Sequence, residues 1–243
     1  MTQPMTSVVI VNNGTFVKDA EIASAASAIQ GLVQGDFARI WGADAIAAAN
    51  LPGFVRAGSP ENPPSADEWV LGLYVDPDRP GALGYHAKTA PGLPWMKIFP
   101  SLAEDEGTDW SVEACHEILE ALVDPELSRW ARLPDGRTIA VEVCDPVQAD
   151  VLPRSGPALC DFVTPSYFGL GAGGDGLDLL GLLESPGEVR PGGYNQLLED
   201  GNISIVGAAE GVRRQKRKGS RVWLRKYRNE NVVCRGVRRL LRI

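Results

Sequence analysis

The 243-residue sequence predicts a mixed α/β (α+β) fold with a mixed sheet, followed by a smaller β-rich C-terminal part. Three observations predict it. Short β-branched runs end in turn residues, as strands do. Two long stretches between them carry apolar residues at helical spacing. A hydrophobic content of 44% is ordinary for a globular chain and is enough to fill a core.

Taken in order, residues 7–12 read as a buried strand ended by Asn12-Asn13-Gly14. Residues 19–41 read as a helix, with Ile22, Ala26, Ile29, Leu32 and Val33 on one face, extended by Phe37, Ile40 and Trp41. Gly31 and Gly35 weaken its middle. Residues 55–67 are rich in Pro, Gly and Ser and read as a loop. Strands are expected at 68–75, 83–88 and 95–99, then a helix at 109–125, giving the order β-α-β-β-β-α. A strand at 138–144 is stopped by Asp145-Pro146. Residues 157–168 read as extended, with a turn at Pro165. The Gly-rich run Gly171–Gly176 lacks both the Gly-Lys-Ser/Thr ending of a P-loop and the strand-then-helix setting of a dinucleotide site, so it reads as a plain loop.

Charge is unevenly distributed. Residues 212–243 hold 13 of the 24 Lys and Arg and one of the 31 Asp and Glu, leaving residues 1–211 at a formal −19. The acidic body would repel nucleic acid, whereas the basic tail suits phosphate or an acidic protein surface. Arg213, Arg214, Lys216, Arg217 and Lys218 lead that tail, and Trp223 and Tyr227 interleave its later cations. Basic residues with aromatics suit phosphate contact and stacking, and a solvated strand pair is the plainer reading. Met1-Thr2-Gln3-Pro4 opens no basic region followed by an apolar run, so neither a signal peptide nor a membrane span is expected, and synthesis in a cytoplasm follows. The cysteines, Cys115, Cys144, Cys160 and Cys234, form no C-x-x-C pair, so reduced thiols are expected and a cysteine-only zinc site is not.

The helix at 109–125 concentrates the chemistry. Thr108 or Asp109 can cap its start, and Pro125 requires it to stop by Asp124. Val112, Cys115, Leu119 and Leu122 make an apolar stripe, broadened by Ile118 and Val123. Glu113, His116, Glu117, Glu120 and Asp124 make a second one at steps of three and four. That second stripe sets four acids beside one histidine with no Lys or Arg. Like charges at i,i+4 repel, and acids near the C-terminal end oppose the helix dipole. A divalent cation would turn that repulsion into coordination; the wet side of an amphipathic helix is the alternative. His116 and Glu120 supply two ligands from one face, and Glu142 or Asp145, on the next strand and turn, can supply a third. Glu117 then stands where the general base of H-E-x-x-H enzymes stands.

The run Cys115-His116-Glu117-Ile118-Leu119-Glu120-Ala121-Leu122-Val123-Asp124-Pro125, then Trp130, then Glu142-Val143-Cys144-Asp145, resembles an H-E-x-x-E signature of zincin-like proteins. One such group is the plant phosphate-induced, exordium-like family. A closer resemblance is to zincin-like, metallopeptidase-related proteins of tailed bacteriophages and prophages, through Gly84-Tyr85-His86 before the helix and Phe162-Val163-Thr164-Pro165-Ser166-Tyr167-Phe168 after it. The resemblance spans roughly residues 5–205.

It implies a zincin-like metal-binding domain over residues 1–168, a Gly/Pro-rich region at 169–193 and a β-rich segment with the basic tail at 194–243. It implies bound Zn²⁺, a peptide substrate and His86 lining the cleft from an edge strand. Tyr167 is assigned to the core beside Phe162 and Phe168, with oxyanion stabilisation as its second reading. Glu120 stands where the common motif has His, and a carboxylate lowers the site's positive charge. A catalytically weak or inactive structural protein of the virion, docking on virion proteins or nucleic acid through residues 212–243, is therefore the second functional expectation.

Overall fold

A computed structural model describes residues 6–44, 47, 50–51, 53–78, 82–171 and 176–207. The basic tail at 212–243, with Cys234, lies outside the described residues, as does most of the Gly-rich run.

The first sheet has five strands: β1 (Ser7–Asn13), β2 (Phe54–Ala57), β3 (Trp69–Tyr74), β4 (Gly84–Lys88) and β5 (Pro94–Ile98), in the order β2-β1-β3-β5-β4. β2, β1, β3 and β5 run parallel; β4 pairs antiparallel to β5 and forms one edge. The fold is mixed α/β with a sheet that is partly parallel and partly antiparallel. The short run Phe54-Val55-Arg56-Ala57 is a strand where a loop was expected. It is four residues long and leads directly into the Gly58-Ser59-Pro60 turn, so its sequence carries little alternation, and its pairing with β1 supplies the register.

The expected helix at 19–41 forms in two pieces, α1 (Asp19–Leu32) and α2 (Ala38–Trp41), joined by a π-turn at Val33–Phe37. Gly35 breaks the helical geometry there, at φ −94° and ψ −108°. Gly31 stays helical. A glycine permits a kink without requiring one, and only the second glycine is used.

After β5 come α3 (Pro100–Asp105), which the sequence reading did not separate, and the motif helix α4 (Trp110–Val123). Asp109 caps α4 by accepting the Ser111 N–H at 2.8 Å. Asp124 ends it and does not belong to the polar face of the site. Its two carboxylate oxygens accept the N–H groups of Ser128 and Arg129, both at 2.9 Å. Arg129 reaches back to the Val123 carbonyl at 3.1 Å and pairs with Asp44 at 2.8 Å, so this helix end is tied down from both sides.

A second sheet, antiparallel, runs β6 (Trp130–Arg132), β7 (Thr138–Ala140), β8 (Tyr194–Glu199) and β9 (Asn202–Gly207) in that order. The β8–β9 turn is Asp200-Gly201, with positive φ at both residues (48° and 78°), the combination a tight right-twisted hairpin needs. β7 is shorter than the expected strand at 138–144. Beyond Ala140 the chain leaves the ladder, and its groups turn inward. The Val143 carbonyl accepts the Val163 N–H at 2.7 Å, and the Cys144 N–H points at Glu120 Oε1 at 3.4 Å.

The main core lies between the first sheet and its helices and extends to the second sheet, taking in Ile10, Leu71, Phe37, Trp41, Ile118, Leu122, Ile139, Phe162 and Leu197. On the outer face of β4 and β5 a small separate cluster holds Tyr85, Trp95 and Phe99. No described helix is long and apolar enough to cross a membrane.

One buried acid away from the motif helix has a measurable consequence. Asp161 is fully buried. Its Oδ1 accepts the Phe162 N–H at 2.8 Å, and its Oδ2 has no hydrogen-bond partner among the described residues. Burial, opposed by the Phe162 N–H and reinforced by the Asp178 carboxylate, pushes Asp161 up to about 8. The folded chain therefore holds a proton that the unfolded chain releases near pH 4, and stability falls as pH rises from about 4 to about 8. Asp161→Asn keeps the acceptor for Phe162 and removes the titration. Thermal melts of the variant are expected to lose that slope and to exceed wild type at pH 8; parallel pH profiles for the two proteins would contradict this.

Candidate metal centre

Three elements converge on one buried cluster. β4 lies at the sheet edge against α4, and its alternation sends Tyr85 and Ala87 to the outer aromatic cluster and His86 to the helix side. Gly84 lies one pleat before His86. A Cβ there would stand 2.7 Å from Ile98 Cδ1 of β5 and at ordinary contact, 3.4 Å, with Glu117 Oε1, so the missing side chain makes room for Ile98 beside the cluster. α4 contributes His116, Glu117 and Glu120. The segment after β7 contributes Glu142, Cys144 and Asp145, the last on a 3₁₀ turn at Asp145–Val147.

All of these side chains are buried, from 0% exposed for Glu117 and Glu120 to 3% for Glu142. The polar stripe of α4 is therefore not a wet face: every residue from Trp110 to Val123 is buried. His86 Nδ1 lies 2.8 Å from Glu117 Oε2 and 3.7 Å from Glu120 Oε2. His116 Nε2 lies 3.0 Å from Glu120 Oε1 and 3.3 Å from Asp145 Oδ1. Gln196 of β8 directs Nε2 toward Glu142 Oε1 at 3.5 Å, bringing the second sheet to the cluster. Lys97 is the only Lys or Arg among the buried described residues, and it is occupied by Asp78 and the face of Tyr74.

These separations suit ligation. Two donors held tetrahedrally at about 2.0–2.1 Å from one ion stand about 3.3–3.4 Å apart. The His116–Asp145 contact, at 3.3 Å, matches that spacing, and the His116–Glu120 contact, at 3.0 Å, is a little shorter. Two sets of three donors have their atoms within 4.8 Å of one another: His116, Glu120 and Cys144, and His86, Glu120 and Glu142. Burial resists protonation of His86, but its hydrogen bond to Glu117 and the charges of Glu117, Glu142 and Glu120 prevail and raise its pKa. Burial also pushes the Cys144 thiol up, so a metal taking that sulfur would displace a proton.

Comparison with protein-family models, with curated proteins and with solved structures finds no match. The functional reading therefore rests on the site.

Of the residues expected from sequence, His116, Glu117, Glu120, Glu142 and Asp145 come together here. His86 joins them as a buried partner of Glu117. Tyr167 is spent elsewhere: its hydroxyl donates to the Glu188 carbonyl at 2.7 Å and accepts from Asn195 at 2.8 Å, while its ring meets Phe168 edge-on. Cys144 and Gln196 were not foreseen. Cys144 lies inside the Glu142–Asp145 segment that the motif singled out, but scattered cysteines carried no spacing signal. Gln196 carries no signal at all; only the fold delivers it.

The turn bearing Asp145 depends on a glycine. A Cβ at Gly193 would fall 2.0 Å from the Pro146 carbonyl oxygen, a backbone atom that cannot yield without moving the turn. Gly193→Ala is expected to destabilise by about 1–3 kcal/mol and to weaken metal retention. Gly31→Ala, in a helix with nothing within 4 Å of the added Cβ, should stabilise by roughly 0.5–1 kcal/mol and spare the metal. Equal metal retention in both variants would separate the turn from the site.

Proposed function

We propose that this chain is a zincin-like zinc-binding protein of the kind carried by tailed phages, with His116 and Glu120, joined by Glu142 or Asp145, as ligands and Glu117 as proton acceptor in peptide hydrolysis. The observation that carries this reading is the burial of two histidines and four carboxylates together on α4, β4 and the 142–145 segment, with His116, Glu120 and Cys144, and His86, Glu120 and Glu142, each grouped at ligand spacing. Two protonated imidazoles cannot balance Glu117, Glu120, Glu142 and Asp145, and buried charge without compensation is strongly unfavourable. The antiparallel edge strand beside the motif helix supports the same reading.

A bound zinc ion would supply Lewis acidity, making water more acidic and polarising a carbonyl. Glu117 contributes the carboxylate that takes a proton, one residue after the ligand His116. His86 positions that carboxylate through its contact at 2.8 Å. Glu117→Gln keeps shape and volume, so the variant is expected to retain metal and to lose peptide hydrolysis by at least about a hundredfold. Undiminished hydrolysis would remove Glu117 from the proton-transfer role. Wild-type protein without metal, whose melting chelators leave unchanged, would remove the metal reading altogether.

A second reading has an observation of its own. With every site side chain buried, the described conformation offers a peptide no path to Glu117. This favours a virion structural or interaction protein that keeps the metal to hold its fold, with the basic tail as its docking segment. Deleting residues 212–243 is then expected to abolish assembly or nucleic-acid binding and to leave metal content unchanged.

A further inference from the structure

We infer that the cluster is built for two cations bridged by Glu120, one bound on the His116 side and the other on the His86 side. The inference rests on the metal reading above and deepens it. The two donor sets share only Glu120, and its two oxygens face different partners. Oε1 lies 3.0 Å from His116 Nε2 and receives the Cys144 N–H. Oε2 lies toward His86 Nδ1, at 3.7 Å. A carboxylate that presents one oxygen to each of two imidazole-bearing half-sites has the arrangement of a bridging ligand, and paired ions in such centres stand about 3.5–4 Å apart.

Donor number and charge point the same way. Six donors surround the cluster: His86, His116, Glu120, Glu142, Cys144 and Asp145. A tetrahedral zinc ion takes four, fewer than the cluster offers. Four carboxylates and a Cys144 thiolate would carry −5; two divalent ions reduce that to −1, whereas one ion leaves −3 in the interior, which is costly. His86 Nε2 is buried, with the residue 1% exposed, and has no hydrogen-bond partner among the described residues, which leaves a nitrogen donor open on that side of the cluster.

The half-sites differ in chemistry. His116, Cys144 and the adjacent Asp145 offer nitrogen, sulfur and oxygen, a set suited to zinc. His86 and Glu142 offer nitrogen and oxygen alone, a harder set that discriminates less strongly against manganese than a sulfur-bearing one. The two half-sites are therefore expected to differ in how strongly they prefer zinc.

The test is metal stoichiometry of the full chain, stripped by chelator, reloaded with Zn²⁺ or Mn²⁺, desalted and analysed by mass spectrometry. Two zinc ions per chain are expected. His86→Gln should fall to one, and Glu120→Ala should fall below one. Circular dichroism checks folding, and Glu142→Gln removes a donor from the same half-site if His86→Gln fails to fold. Cobalt loading reads the other half: a sulfur-to-metal charge-transfer band should persist in His86→Gln and vanish in Cys144→Ser. One zinc per wild-type chain overturns the two-ion inference and leaves the single-metal reading standing. No zinc overturns both. Two zinc ions that persist in both His86→Gln and Glu142→Gln would overturn the placement at Glu120.

Discussion

Glu120→Ala is expected to strip metal from the chain, taking content measured by mass spectrometry down to background. No other single change should cost as much, because Glu120 is the one ligand candidate in contact with both histidines. Its loss removes a donor and also leaves His86, His116 and Cys144 around a cavity with less negative charge to attract a cation. Metal bound to the folded chain alone stabilises it by about 2.7 kcal/mol when free metal exceeds Kd a hundredfold. For a chain of this length that is a shift of roughly 5–10 °C in the melting midpoint. Chelation of wild type is therefore expected to lower its midpoint by that amount, whereas chelation should leave Glu120→Ala unmoved. A variant that keeps its metal would show that Glu120 is a bystander. A variant that loses metal while wild type melts identically with and without chelator would show that the ion is bound but adds nothing to stability.

Trp41→Ala is expected to destabilise the fold more than any other single replacement of a core side chain. Trp41 ends α2, is fully buried, and donates its indole N–H to the Val163 carbonyl at 3.1 Å. Its ring lies 6.3 Å from Phe37 and 6.1 Å from Phe168. Removing the ring costs about 3–5 kcal/mol in lost burial and residual cavity. Leaving the Val163 carbonyl without its donor adds about 1–3 kcal/mol. The sum approaches the whole stability of an ordinary domain. Urea unfolding should show the midpoint collapsing toward zero denaturant. Trp41→Phe, which restores most of the packing without the N–H, is expected to recover the larger part. If Trp41→Ala unfolds at nearly the wild-type urea concentration, the 163–168 segment is not anchored through this side chain.

Much of the fold was legible before any coordinates. The strands at β1, β3, β4 and β5 carry β-branched or aromatic runs bounded by turn residues, and their expected limits differ from the observed ones by at most one residue at either end. α4 was legible to its cap, since Asp109 and Pro125 are local signals. β2 was not, because four residues hold too little pattern and their register comes from β1. The shortening of β7 was equally hidden. Val141–Cys144 looks like strand, but tertiary hydrogen bonds to Val163 and Glu120 take those groups out of the ladder. In the cluster, His116, Glu117 and Glu120 could be named because helical spacing alone places them on one face. His86 could be named but not understood, since the sheet edge decides which way it points and the packing of β4 against α4 decides how near Glu117 it comes.

The polar stripe of α4 marks the division most clearly. Its composition, acids and a histidine with no cation interleaved, was a property of the sequence alone, and so was the inference that something positive belongs there. Whether the stripe faced water was not. Periodicity says which residues share a face, but it cannot say what covers that face. Here β4 and the 142–145 segment lie over it and add His86, Cys144, Glu142 and Asp145 from positions 19 to 24 residues away from the helix. Tertiary packing also removed Asp124 from the stripe and spent it on the backbone of the following turn. Local spacing obeys local geometry, whereas burial and ligand sets depend on contacts between distant segments, and only the folded chain makes those.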